Sequence, residues 1–140
     1  YGLREKFRYR NGLLVRRVYE RESHIDLFIN RVPGMPLLLV DPFYFKDNKA
    51  LIEEIARHTG HKIIVVPKKE RHLYPANFAD LGKGKILVNR EARKTIRLLE
   101  KEGVKVVPTS SALTASAMAG GGPRCTINTP LQTQKRLGIY

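Results

Sequence analysis

The chain has 140 residues, 42% hydrophobic and 28% charged, enough for one ordinary domain with a packed core rather than a disordered chain. No apolar run approaches the roughly 20 residues that cross a bilayer as a helix, no signal peptide is visible, and the single cysteine excludes an internal disulfide and fits a reducing compartment such as the cytoplasm. The net charge of +13, from 26 basic against 13 acidic residues, raises the question of a polyanionic partner, although a solvated basic surface gives the same signature.

Residues 1–11 read as a polar, basic arm or connector, and residues 12–20, GLLVRRVYE, as a strand. Residues 23–32, SHIDLFINRV, alternate with the two-residue period of a strand. Pro33-Gly34 signals a turn, and residues 37–40, LLLV, form an apolar strand that Asp41-Pro42 ends. Residues 48–58 carry a helical stripe of Leu51, Ile52, Ile55 and Ala56, with Asp47 or Asn48 as cap and Gly60 past the end. Residues 62–66, KIIVV, make another strand, stopped by Pro67. The pattern then restarts. A short strand is expected over 76–80, a turn at Gly82-Lys83-Gly84 and a strand over 85–88. A helix over 90–102 follows, with Asn89 as its cap and Gly103 at its end, then a strand over 104–107 before Pro108.

This is an internal repeat of strand, turn, strand, helix, strand. Its units span about residues 12–67 and 74–108, with a partial third unit over 119–140 that opens as a strand at Cys125. The three openings are His24, Asn77 and Cys125. Units set around a common axis would bring these openings together at one end. That geometry would place His24 near Cys125, with Asp26 on the same strand face as His24.

The stretch over 118–130, MAGGGPRCTINTP, holds the only cysteine. Glycines let a backbone turn tightly and approach a ligand closely, and residues 126–129 favour extended structure. A reactive thiol at the mouth of a glycine loop is one reading of Cys125. A buried free cysteine is the other. Only a few per cent of an ordinary thiol is thiolate near neutral pH, so a nucleophile needs a partner. Histidine can serve as general acid and base, and a carboxylate can hold a cation through paired hydrogen bonds. A thiol, a histidine and a carboxylate around a planar cation suggest attack at a guanidinium carbon. No zinc-ligand spacing, Walker-type loop or aromatic RNA-binding signature is present.

Two motifs resemble the guanidino-group-modifying superfamily of arginine deiminases, dihydrolases and amidinotransferases. Ser23-His24-Ile25-Asp26-Leu27-Phe28 resembles its His-hydrophobic-Asp motif, and Gly120-Gly121-Gly122-Pro123-Arg124-Cys125 resembles its glycine-rich motif ending in the nucleophile. The stretch over 77–107 resembles the module that precedes that cysteine, and the resemblance covers about residues 12–131. It implies a five-module pseudosymmetric α/β propeller, the pentein fold, built from ββαβ units, of which the 140 residues would be the C-terminal part of a single domain. It implies that Cys125 attacks the guanidinium carbon to give a thiouronium intermediate. His24 would protonate the departing amine and then activate water or an acceptor amine, and Asp26 would bind the guanidinium. Gly121, Gly122 and Arg124 are expected to line the substrate, and no metal or organic cofactor is implied.

The family takes a second carboxylate and an acidic partner for the histidine from earlier modules, and neither has a counterpart in this sequence. Ala119 and Gly120 stand where typical arginine deiminases carry an arginine. The expectation is therefore the C-terminal part of a guanidino hydrolase, with the N-terminal half upstream in the same polypeptide or on a second chain. Amidino transfer and RNA binding by a non-catalytic basic relative are the alternatives. A second copy of the chain remains an open partner, and no membrane association is expected.

Overall fold

The structure, a computed structural model, describes residues 8–10, 13–15, 25–110 and 121–126. It begins with a hairpin in which β1 (Arg8–Arg10) pairs antiparallel with β2 (Leu13–Val15), Tyr9 standing opposite Leu14. The basic stretch expected as an arm therefore supplies a strand. Its sequence signal was Asn11-Gly12, a dipeptide favoured in tight hairpins, set between two runs.

Two three-stranded sheets follow, with the same topology. In the first, β3 (Ile29–Arg31) runs antiparallel to β4 (Leu37–Val40), and β5 (Lys62–Val65) runs parallel to β4 on its other side. In the second, β6 (Ala79–Gly82) is antiparallel to β7 (Lys85–Val88), and β8 (Lys105–Pro108) is parallel to β7. Parallel neighbours need a crossover. Helices α1 (Pro42–Asp47) and α2 (Lys49–Thr59) provide it in the first unit, and α3 (Arg93–Lys101) in the second. A single helical turn, α4 (Pro123–Thr126), completes the described elements.

The side chains account for these boundaries. Asp41 closes β4 and starts α1: its Oδ1 accepts from the backbone N–H of Phe43 at 2.9 Å and Tyr44 at 3.0 Å, with Pro42 in the first turn. Its Oδ2 lies 2.8 Å from Arg71 Nε, and the Arg71 guanidinium stacks 4.6 Å from the Phe43 ring. The Asp41-Pro42 pair read as a strand stop is thus also a helix start. Asn48 occupies the position before α2 as expected, but its amide donates to Tyr44 O at 3.0 Å rather than capping α2. Gly60 ends α2 at φ +67, the left-handed conformation glycine adopts without strain.

Several expected strands and helices shift, for physical reasons. The strand expected over 23–32 is a 3-10 turn at Ile25–Leu27 followed by β3. Local bonds win there: Phe28 N–H reaches Ile25 O at 3.0 Å, and Asn30 Nδ2 reaches back to Asp26 O at 2.7 Å. Asp26 consequently sits in a turn and not on a strand face. The helix expected over 90–102 begins at Arg93, because Asn89 Oδ1 caps a preceding turn through Glu91 N–H at 3.0 Å. The strand expected over 76–80 is displaced to Ala79–Gly82, and a 3-10 helix at Lys68–Leu73 fills the connection between the units.

Hydrophobic burial on both faces of the first sheet joins the units. Leu38 and Val40 face Tyr44, Ile52 and Ala56 of α1 and α2, with Leu27 and Phe28. Leu37 and Leu39 point the other way and share a cluster with Ile64, Val66, Ile86, Val88, Ala92, Leu99 and Val104. Such a strand needs apolar residues at every position, which is why LLLV shows no alternation. Each buried Leu or Ile contributes about 1.5–3 kcal/mol. The exposed Lys62–Glu102 ion pair between the units adds at most about 1 kcal/mol. Among the described residues no helix is long and apolar enough to cross a membrane.

The N-terminus of α3 is capped from outside the helix. Glu70, 8% exposed, accepts from the backbone N–H of Lys94 at 2.7 Å and Thr95 at 2.9 Å, and from Thr95 Oγ1 at 2.7 Å. Removing it leaves three donors unpaired, two of them on buried Thr95, next to the positive helix end. Glu70→Ala is expected to lose about 2–3 kcal/mol of stability. Urea denaturation checks this as a lower midpoint with an unchanged slope.

Candidate active site

The thiol and one candidate carboxylate meet through a third residue. The chain leaves the Lys68–Leu73 helix through Tyr74, held at φ +48, and Asn77 N–H closes the turn on Tyr74 O at 2.9 Å. This turn puts Asn77, 0% exposed, between the two segments that carry Asp26 and Cys125. Asn77 Nδ2 donates to Asp26 O and Asp26 Oδ2, both at 3.0 Å. Asn77 Oδ1 accepts from Gly122 N–H at 3.0 Å and Cys125 N–H at 3.3 Å, and Asn77 O accepts from Arg124 N–H at 3.1 Å.

Cys125 lies in α4 and is exposed. This corrects the expectation that the glycine loop enters a strand there: Pro123 begins a helical turn, closed by Cys125 N–H on Gly122 O at 3.1 Å. Of residues 126–129, expected to be extended, Thr126 ends that turn and the rest lie outside the described residues. His24 and Gly120 also lie outside them.

Asp26 is half-buried. Its Oδ2 is anchored by Asn77, and its Oδ1 makes no hydrogen bond among the described residues. Its backbone oxygen accepts from both Asn77 and Asn30. Arg124, expected against substrate, is exposed and donates from Nη1 to Asn30 Oδ1 at 2.6 Å, while Asn30 Nδ2 also reaches Ala76 O at 2.7 Å. Gly121 underlies the thiol, since a Cβ there would stand 3.6 Å from Cys125 Sγ. No group of three or more His, Cys, Asp or Glu that could hold a metal ion occurs among the described residues.

The repeat alone does not explain this meeting. Asn30 stands opposite Leu39 and Ala79 opposite Leu87, so by strand register Asn77 matches Phe28 and not His24. The expected equivalence of the three openings is therefore offset in its first member. Side-chain hydrogen bonds bring Asn77 and Cys125 to the Asp26 turn. Asn30 and the side chain of Asn77 had no assigned role in the sequence. Their signal was polarity within apolar runs, because a buried amide must find partners.

Comparison with known proteins places this arrangement. Protein-family models and curated proteins yielded no match. Among solved structures, the N-terminal domain of ArgZ, an arginine dihydrolase from the ornithine–ammonia cycle in cyanobacteria, is similar at a TM-score of 0.57 and 25% identity over 73% of this chain. The inosamine-phosphate amidinotransferase of Streptomyces griseus is similar at a TM-score of 0.57 and 27% identity over 78% of this chain. The chain has the pentein fold of the guanidino-group-modifying superfamily. It spans 36% of the length of the dihydrolase domain and 32% of the amidinotransferase, so about a third of each.

The tight fit at Gly122 yields a test. A Cβ at Gly122 would fall 2.8 Å from Asn77 Cβ and Asn77 O, whereas one at Gly121 would meet only the Cys125 side chain, its Cβ at 3.2 Å and its Sγ at 3.6 Å. Gly122→Ala is expected to displace the thiol turn and lower the thermal midpoint by several degrees, because the clash is with the Asn77 backbone. Gly121→Ala is expected to be several-fold milder. Thermal denaturation, with intact-mass labelling of Cys125 by iodoacetamide on folded protein, compares the two.

Proposed function

We propose that this chain is the nucleophile-bearing part of an enzyme that cleaves a C–N bond of a guanidino group, with arginine or a close relative as substrate. The observation that carries the reading is the single buried amide of Asn77, hydrogen-bonded both to Asp26 and to the turn that presents Cys125. In this reading the shared anchor sets a nucleophile beside a carboxylate that has an oxygen to offer a cation. The likeness to a dihydrolase and an amidinotransferase supports the same chemistry.

In this reading Asp26 Oδ1 takes guanidinium N–H groups and orients the planar cation over the thiol. The thiolate of Cys125 attacks the central carbon and forms a C–S bond. The C–N bond to the departing amine breaks, and His24 supplies the proton that lets the amine leave neutral. His24 then takes a proton from water, the resulting hydroxide attacks the same carbon, and the C–S bond breaks to restore the thiolate. Gly121 and Gly122 let the substrate approach the sulfur, and Arg124 borders the site. Transfer differs only in that an amine replaces water. The amidinotransferase likeness favours that second reading, and the GGGPRC loop favours hydrolysis.

The two ββαβ units and the thiol turn belong, in this proposal, to the C-terminal part of one propeller domain. The remaining carboxylates come from units in the same polypeptide or a second chain. Covering about a third of each relative supports this. The lone thiol suits the reducing cytoplasm. The net charge of +13 is then a surface property, not a nucleic-acid site.

Intact-mass analysis of the whole protein, incubated with arginine or with chloroacetamidine, tests the reading. A stoichiometric adduct on Cys125 that arginine competes away is expected. Cys125→Ala is expected to abolish both adduct and turnover with the thermal midpoint little changed, and His24→Ala to slow turnover by about 100-fold or more. An unlabelled Cys125 in folded protein would overturn the proposal.

A further inference from the structure

Resting on the proposed function, we infer that Asn77 is a positioning residue that sets the placement of the Cys125 thiol relative to the Asp26 carboxylate. Its amide does two jobs that no other side chain of that size combines. The NH2 group fixes Asp26 through both its backbone oxygen and Oδ2 at 3.0 Å, which turns Oδ1 away from the anchor. The carbonyl end caps α4 from another segment of the chain. Gly122, just before that turn, has no side chain with which to cap it, and Asn77 Oδ1 accepts from Gly122 and Cys125 N–H in its place.

Backbone accounting sharpens this. From Gly122 to Cys125 the chain has three N–H donors, since Pro123 has none. Among the described residues the backbone N–H groups of Gly122 and Arg124 donate to Asn77 alone, and Cys125 divides its donor between Asn77 Oδ1 and Gly122 O. Contact at Gly122 leaves no slack, because a Cβ there would overlap Asn77. A rotation of the Asn77 side chain therefore moves the thiol turn and the carboxylate together. A second path runs from Arg124 through Asn30 to Asp26 O, but Arg124 is exposed and its bond competes with water. The Asn77 side chain is itself fully buried, and its bonds constrain more strongly.

The test uses the whole protein with two substitutions. Asn77→Leu removes both functions. Asn77→Asp keeps an acceptor for Gly122 and Cys125 but replaces the donor facing Asp26 with a second carboxylate. Three readouts are normalised to folded protein: kcat and KM for arginine, the ratio of Cys125 labelling by chloroacetamidine to that by neutral iodoacetamide, and the dependence of both on pH. Asn77→Asp is expected to reduce kcat/KM by about 100-fold and to collapse the labelling ratio while leaving iodoacetamide labelling near wild type. Its deficit relative to wild type is expected to shrink as pH falls, because a protonated carboxyl can donate to Asp26 as the amide did. Asn77→Leu is expected to lose labelling by both reagents.

If wild type reacts and both variants match it per folded molecule, differing only in thermal midpoint, Asn77 is structural and the inference fails alone. If Asn77→Leu does not fold, Asn77→Asp decides by its labelling ratio and pH profile. If wild type neither turns over arginine nor takes the amidine label, the guanidino reading fails and the assignment of Asn77 falls with it.

Discussion

A buried amide has no water to fall back on, and the placement of this site depends on how Asn77 is satisfied. The side chain is fully inaccessible, so each of its hydrogen bonds must come from protein. Among the described residues, three of the side chain's four hydrogen bonds are to backbone groups of other segments, which cannot swing away as side chains do. The partners come from the 3-10 turn before β3 and from α4, so one residue joins two pieces of chain that the sequence keeps far apart.

The same logic of forced partners operates at the scale of the units. A sheet with one helical layer would leave its second face in water. Here β4 sends Leu38 and Val40 into its own helices and Leu37 and Leu39 into a cluster with α3 and the second sheet. Glu70 adds direction to that packing by capping α3 from the connection between the units. The apolar clusters hold the units together, and the polar contacts set their orientation.

The repeat was legible in the sequence because it is written in hydrophobic runs and breakers. LLLV before Asp41, KIIV before Pro67 and KILV before Asn89 each mark a strand in the structure. The pattern failed where short polar side chains compete with the backbone. Alternation in SHIDLFINRV resembles a strand, yet Asp26 and Asn30 bind each other's neighbourhood and make a turn. Asn89, read as the helix cap, caps a turn instead and delays α3 to Arg93. The glycine loop was visible as a place of close approach. That it winds into a helical turn, for which Pro123 is the local signal, depends also on an acceptor supplied by Asn77.

This dependence explains why the thiol turn follows a complete unit. A four-residue turn makes too few internal hydrogen bonds to be stable by itself. It persists because a finished ββαβ unit offers it a fixed acceptor, and because Gly122 lets the two backbones touch. A cap within the turn would need a side chain at position 122, where the contact with Asn77 leaves no space for one. The fold thus trades a self-sufficient turn for one keyed to its neighbour. The same neighbour holds Asp26, so the correct placement of the thiol and of the carboxylate becomes a single structural condition.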